Sequence, residues 1–269
     1  MHFFILGSLE VGPPEQRIRI TAPKQRAVLA ALLLNANREV PLARLIRFVW
    51  DGRPPATAQT TLQSYVYRLR QLLRPLPFVE LRTDIDSYLL EVDRQDTDLW
   101  HFRDEVEGAR ALAEIGEYKE SVIRLRRGLA VWRGSSLSGI TGETIQQEAR
   151  VLDGERIAAY EELFGTEIYL GKTRQIIPEL HRVVSAYQYH EVFRAQLMLA
   201  LYASGRQAEA LQHYVMIRRR LREKLGIEPG QDLQQLHRSI LEQIPSTHIA
   251  IPGGGGSGTG ADQLSAIER

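Results

Sequence analysis

Strand-forming sequence ends near residue 96 and does not return before Ile244, so this 269-residue chain divides into a mixed N-terminal part and an all-helical remainder. In the first part, residues 2–11 are rich in strand formers and Arg17–Ile20 alternates with period two, with a Gly12-Pro13-Pro14 turn between them. A short β-meander is expected there. Lys24 to Asn35 places Val28, Leu29, Leu32 and Leu33 at helical spacing, and Asn35 and Asn37 close that helix. Pro41 opens a second helix with Leu42, Leu45, Ile46 and Val49 on one face and Trp50 at its end. Asp51–Pro55 is a rigid break. A third helix is expected over Ala56–Arg74, stopped by Pro75 and Pro77. Phe78–Thr83 and Tyr88–Val92, around a turn at Asp84–Ser87, read as a β-hairpin.

Strands, three helices and a hairpin in that order make a winged helix-turn-helix with an added N-terminal sheet, an α+β domain over residues 1–95. Helices are expected over 98–115, 118–132, 142–170, 174–186, 192–203, 207–225 and 232–244, forming a second, all-α domain over 97–244. The breaks at Ala113–Tyr118 and Ala203–Gln207, and more weakly at Leu170–Thr173, place a glycine and polar residues between amphipathic helices. That is the spacing of tetratricopeptide-like helix hairpins, which stack because none buries its apolar face alone. An irregular bundle is the competing arrangement. Residues 252–269 read as a flexible tail, native or an appended linker. Its glycines are followed by no Lys-Ser/Thr pair, which excludes a phosphate loop.

Composition removes several kinds of function. Without cysteine there is no disulfide framework, thiolate metal site or Cys nucleophile. No stretch approaches the roughly 20 apolar residues of a membrane span, and no signal peptide is recognisable, so a cytoplasmic, nucleoid-associated protein is expected, with no membrane partner. The seven histidines form no metal-ligand pair and read as structural. There is no nucleophile elbow, dinucleotide fingerprint or Walker motif. No catalytic residue, metal or cofactor is expected, and the chain does not read as an enzyme. The basic run at Arg218–Lys224 reads as a solvated helix face.

The net charge of +1 conceals an asymmetry: between Arg17 and Arg74 eleven basic residues face only Glu39 and Asp51. A polyanionic partner or acids elsewhere in the fold would each offset that excess. The third helix separates the two. Leu62, Val66, Leu69 and Leu73 form a core stripe. The other side carries Thr57, Thr60, Ser64, Tyr67, Arg68 and Gln71, and the helix holds no acid anywhere. A solvated helix ordinarily mixes both signs of charge. Hydroxyl, amide and guanidinium groups without carboxylates suit base edges and phosphates.

With those residues laid out, the chain resembles the Streptomyces antibiotic regulatory protein (SARP) family, in which an OmpR-type winged helix precedes a bacterial transcriptional activation domain. The matching stretches are Phe4–Val11, Lys24–Leu34, Trp50–Pro55 with Ala58–Leu73, Val131–Gly134, and Leu221–Gly230 with Leu233–Leu241. The chain looks like the small form, without a receiver or nucleotide-binding domain.

The resemblance implies activation of an antibiotic or other secondary-metabolite gene cluster. Two molecules would bind direct repeats in double-stranded DNA as a dimer and recruit RNA polymerase with its sigma factor. It makes Thr57, Thr60, Thr61, Ser64, Tyr67 and Arg68 DNA-contact candidates, with Arg70 on the helix flank, Arg82 and Thr83 on the wing, and Arg44 and Arg47 near phosphates. Arg53 becomes a polymerase-contact candidate. The wing departs from the family, where a Gly-Gly-Tyr turn is common: Asp84 and Asp86 at its tip would repel phosphate, against deep minor-groove insertion. A helical-repeat interaction scaffold without DNA specificity is the alternative, and it accounts for residues 97–244 alone.

Overall fold

The computed structural model describes residues 2–253, so residues 254–269 of the expected tail lie outside the described residues. Two compact units emerge. One takes the residues up to Arg110 together with Arg126–Ile157, the other Ala111–Leu125 together with the described residues from Ala158 onward.

In the first unit β1 (Phe3–Phe4), β2 (Glu10–Val11) and β3 (Ile18–Arg19) form the antiparallel meander in the order β1-β2-β3. Gly12 takes φ +121° at the first turn, where a Cβ would stand 2.5 Å from the Gln16 carbonyl oxygen, so glycine is required. Helix α1 (Pro23–Leu34) is buried without interruption from Ala27 to Leu33, and α2 (Leu42–Trp50) and α3 (Ala58–Leu73) pack on it. A second sheet contains β5 (Glu80–Thr83) and β6 (Ser87–Glu91), the expected hairpin, and a strand absent from the sequence reading, β4 (Glu39–Pro41). β4 pairs with β6 through Val40 opposite Tyr88, giving the order β4-β6-β5. The Asn37 side chain extends that edge: its amide donates to the Val92 carbonyl (2.9 Å), and its oxygen accepts from the Val92 N–H (3.0 Å).

The start of the helical region belongs to this unit. Asp98, the first residue of α4 (Asp98–Glu114), is fully buried. Its carboxylate accepts from the Ile5 N–H at 2.9 Å, the Leu6 N–H at 3.0 Å and the Arg133 guanidinium at 3.3 Å. Burial pushes this carboxyl upward, while the two amides and Arg133 pull it down. The chain after α5 (Tyr118–Ala130) runs along residues 5–7, with Arg133 N–H donating to Leu6, Leu137 to Ile5 and Ser138 to Gly7. Trp132 meets Phe102 edge-on at 5.3 Å.

The second unit is built from helix hairpins. Its helices include the distal part of α6 (Glu143–Tyr169), then α7 (Thr173–Ala186), α8 (Glu191–Ala203), α9 (Gln207–Leu225) and α10 (Gln231–Leu241). α8 is central, buried from Phe193 to Leu201 and packed by α7, α9 and α10. The three breaks likened to one another in the sequence share one hydrogen-bond pattern. Gly116, Gly171 and Gly205 have φ of 83°, 72° and 81°, and each donates to the carbonyl three residues back. The following N–H then donates five residues back, from Glu117 to Leu112, Lys172 to Glu167 and Arg206 to Leu201. This left-handed cap ends the first helix of each hairpin and reverses the chain. The all-α, tetratricopeptide-like expectation agrees with the structure, including its weakest break at Leu170–Thr173.

Replacing Asp98 with alanine should strand two buried N–H groups and one guanidinium. Breaking a buried charged contact costs about 3–5 kcal/mol. Urea unfolding of Asp98→Ala should show a loss of that order, and a loss indistinguishable from zero would contradict the arrangement.

Candidate nucleic-acid interface

The rotation of α3 follows from its leucines. Ala58, Leu62, Val66, Leu69 and Leu73 are all buried, and each large one contributes about 1.5–3 kcal/mol by leaving water. With that stripe inward, Gln59, Thr60, Gln63, Ser64, Tyr67, Arg68, Arg70, Gln71 and Arg74 are exposed. Tyr67 is 63% exposed despite its ring. Arg68 enters no ion pair among the described residues. Thr57 is exposed just before the helix, its side chain making no cap bond, whereas Thr61 is half-buried. The Ser64 hydroxyl donates back to the Thr60 carbonyl at 3.1 Å, which leaves its oxygen able to accept. Gln59 and Gln63 were not among the sequence candidates. Their signal was available, since Gln59, Gln63, Tyr67 and Gln71 recur every four residues along the acid-free side.

The flanks divide into free cations and committed ones. Arg44 and Arg47 are exposed on α2 three residues apart, Leu45, Phe48 and Val49 facing the core. Arg70 is a clasp: Nε donates to the Leu81 carbonyl at 2.8 Å and Nη2 to the Thr83 hydroxyl, fastening α3 to β5. Arg82 on the wing lies 3.0 Å from both Glu80 and Glu91, and its guanidinium holds the Glu80 carboxyl below the usual range. At the tip the Asp84 carboxylate accepts from the Ile85 N–H at 2.8 Å, and Ile85 is 95% exposed. Part of the basic excess is offset internally, since Arg17 and Arg19 both pair with Glu10, an acid they share with Arg133.

The loop between α2 and α3 is pinned rather than free. Asp51, in a left-handed conformation with φ 51°, reaches the first turn of α6, where its Oδ1 accepts from the Thr144 N–H at 3.3 Å. Its carboxylate thereby satisfies an unpaired N–H at a helix N-terminus. Arg47, Asp51, Gly52, Glu143, Thr144 and Gln147 surround a shallow hollow there. Arg53, two residues on, is exposed. Among the described residues no group of three or more His, Cys, Asp or Glu is placed to hold a metal ion, and no helix is long and apolar enough to cross a membrane.

Comparison with known proteins agrees with this geometry. The family described as bacterial transcriptional activator domain matches residues 97–241, and that described as transcriptional regulatory protein, C terminal, matches residues 15–83. The chain is 33% identical over 255 residues to the regulatory protein DnrI of Streptomyces peucetius, covering 91% of this chain and 93% of that one. It is 32% identical over 282 residues to the transcriptional regulatory protein MoaR1 of Mycobacterium bovis, covering 100% of this chain and 90% of that one. The solved structure of Mycobacterium tuberculosis EmbR in complex with a low-affinity phosphopeptide matches with a TM-score of 0.85 at 30% identity, over 99% of this chain and 70% of that one.

Arg70→Met should unfasten β5 from α3. Two charge-assisted hydrogen bonds at a partly exposed position correspond to about 1–2 kcal/mol after solvent screening. Hydrogen exchange should show faster exchange of the Glu80 and Arg82 amides, which face β6, with α1 protection changed only by the global loss. Unchanged wing exchange would rule out the clasp.

Proposed function

We propose, since this chain belongs to the SARP family of transcriptional regulators, which are not enzymes, that it activates transcription by laying the outward face of α3 in the major groove of an operator. The observation that carries this is the exposed side of α3, which presents hydroxyls, amides and guanidiniums and no carboxylate. Gln63, Ser64, Tyr67 and Arg68 are the base-edge candidates, and Gln63 and Arg68 can each make two parallel hydrogen bonds to one base. Thr57, Thr60, Arg44, Arg47 and Arg74 are the phosphate and sugar candidates. Thr61 plays a smaller part because it is half-buried. Arg70 acts by positioning and Thr83 with it, while Arg82, balanced by Glu80 and Glu91, is a weak phosphate partner.

In this reading residues 1–95 bind DNA and 97–244 communicate with the transcription machinery. The family resemblance supports direct repeats as the operator, occupied by two molecules, and RNA polymerase with its sigma factor as the partner. It also supports an antibiotic or other secondary-metabolite cluster as the target. Arg53 is the polymerase-facing candidate because it is exposed on a loop whose position Asp51 fixes.

Footprinting on the gene cluster around this reading frame should find a repeated protected sequence. Affinity for it should fall steeply with salt, with log K declining by about 0.9 per log unit of salt for each phosphate contact. Arg68→Ala and Gln63→Ala should each cost about 1–3 kcal/mol on the cognate site and relax preference at one position. Asp84→Asn with Asp86→Asn should strengthen binding, because two negative charges leave the wing tip. No DNA affinity at low salt would favour the scaffold alternative instead.

A further inference from the structure

A positive charge without a counter-charge lies inside the second unit. Arg194 on α8 is only 6% exposed, and no carboxylate lies within ion-pair distance of it among the described residues. Its one side-chain hydrogen bond goes to the ring Nδ1 of His213 on α9, at 3.1 Å, and its Nε has no partner. Beside His213, with ring centroids 5.2 Å apart, stands His181 of α7. The remaining charged groups acting on this cluster come from α9 and the residue before it: Arg206, Glu209 and Arg220. Glu209 is the single acid among them, and both its oxygens are held by Arg206 at 2.7 and 2.6 Å.

Sequestering a guanidinium costs several kcal/mol unless a paired anion repays it. Here the nearest acceptor is a neutral imidazole, which stabilises a cation less than a carboxylate does. Burial, then the Arg194 charge, push His213 down to about 4, and burial with Arg206 lowers His181 as well. Burial, reinforced by Arg220, brings Arg194 itself down to about 10. Three facing helices therefore bring one guanidinium and two imidazoles together, and burial beside the cation favours the neutral form of both rings. His181 and Arg206, part-buried and exposed respectively, connect the cluster with solvent.

We propose that His181, Arg194 and His213 form a binding site for an oxyanion, the phosphate or carboxylate group of a small ligand. The free Arg194 Nε–H and the Nε2–H of His213, whose Nδ1 accepts from Arg194, supply donors with His181 beside them, and the anion supplies the missing counter-charge. A bound anion favours the protonated form of both histidines, His213 giving up the bond its Nδ1 accepts from Arg194, so binding strengthens as pH falls. Without the anion the sign is opposite for folding. An unfolded histidine takes up its proton near 6.5, whereas folded His213 resists until about 4. Stability is therefore complete above the first value and declines as pH drops through that window.

The full chain is titrated by calorimetry with sulfate, a phosphate mimic that does not itself titrate here, and with succinate, against chloride at matched ionic strength. Side-chain NMR follows the two imidazoles. Thermal shifts alone do not suffice, because sulfate stabilises folded proteins generally. One of the two anions should bind saturably, several-fold tighter at about pH 6 than at about pH 8, and move the His213 pKa upward; which anion does so identifies the ligand class. Arg194→Met should remain folded and lose at least tenfold in affinity. His213→Gln, which can still accept from Arg194 but gains no proton, should bind with most of the pH dependence gone. The proposal is overturned if neither anion saturates by about 10 mM, a weak limit for a specific small-ligand site. It is equally overturned if His213→Gln titrates as wild type does, or if Arg194→Met binds as wild type does. An Arg194→Met chain markedly less stable than wild type without any anion would also overturn it, because the guanidinium would then be a satisfied part of the packing.

Discussion

The buried carboxylate of Asp98 is the constraint around which the first unit is arranged. Residues 5 and 6 follow β1 and have their N–H groups turned away from the meander, where they would be stranded without an acceptor. Asp98 supplies both lone-pair sets at the moment the chain turns from strand into helix. Arg133 supplies the positive charge that makes ionised Asp98 tolerable in the interior. The same arginine reaches Glu10 at 2.8 Å and accepts company from Arg17 and Arg19 on that acid. Gly7 permits the close approach, since a Cβ there would stand 3.1 Å from that of Arg133. The strand-to-helix transition near residue 97 is thus held by hydrogen bonds on both sides rather than spanned by a loose linker.

A consequence reaches α3. Because α1 is buried along most of its length, α2 and α3 can pack on it only through their leucine stripes, and α3's rotation is then settled by packing alone. Polar residues on α3 contribute little to that choice, which leaves them free to vary in kind without disturbing the fold. Arg70 is the exception. Two of its donors are spent on β5, which fastens the wing to α3. Asp51 performs the corresponding task for the loop before α3, by accepting from the first turn of α6.

Much of this was legible in the sequence because it is local. The helix boundaries of the second part agree within a few residues, and the caps at Gly116 and Gly205 could be inferred from a glycine between two amphipathic runs. β4 was not legible: three residues carry no periodicity, and Pro41 signals a helix start as well as a strand end. The Asp98–Arg133 contact was invisible for another reason. Its partners lie 35 residues apart, and from Asp98 to Ile5 the separation is 93. Val131–Gly134 could be matched as a motif without disclosing what Arg133 does. On α3 the stripe rule found the exposed side but drew it too narrowly, taking in Gln71 and leaving out Gln59 and Gln63, which share its four-residue spacing. Arg70 looked available because a sequence shows a cation and not the carbonyl it serves.

The distribution of charge on the winged helix argues for an uneven division of labour in the proposed complex. A wing that read the minor groove would need a cation at its tip, because the narrow groove concentrates negative potential. This wing has two aspartates, an arginine already flanked by two glutamates, and a bare isoleucine. Attraction must then come from elsewhere, and exposed cations near α3 without ion pairs among the described residues include Arg44 and Arg47 on α2, Arg53 on the loop between α2 and α3, and Arg68 and Arg74 on or beside α3 itself. Base readout and most of the phosphate attraction would fall on the helix-turn-helix, with the wing supporting α3 through Arg70 instead of gripping DNA. Sequence preference should accordingly be confined to the few base pairs that one helix face can span, which is why a repeated site, not a longer half-site, is the economical way for such a domain to gain specificity.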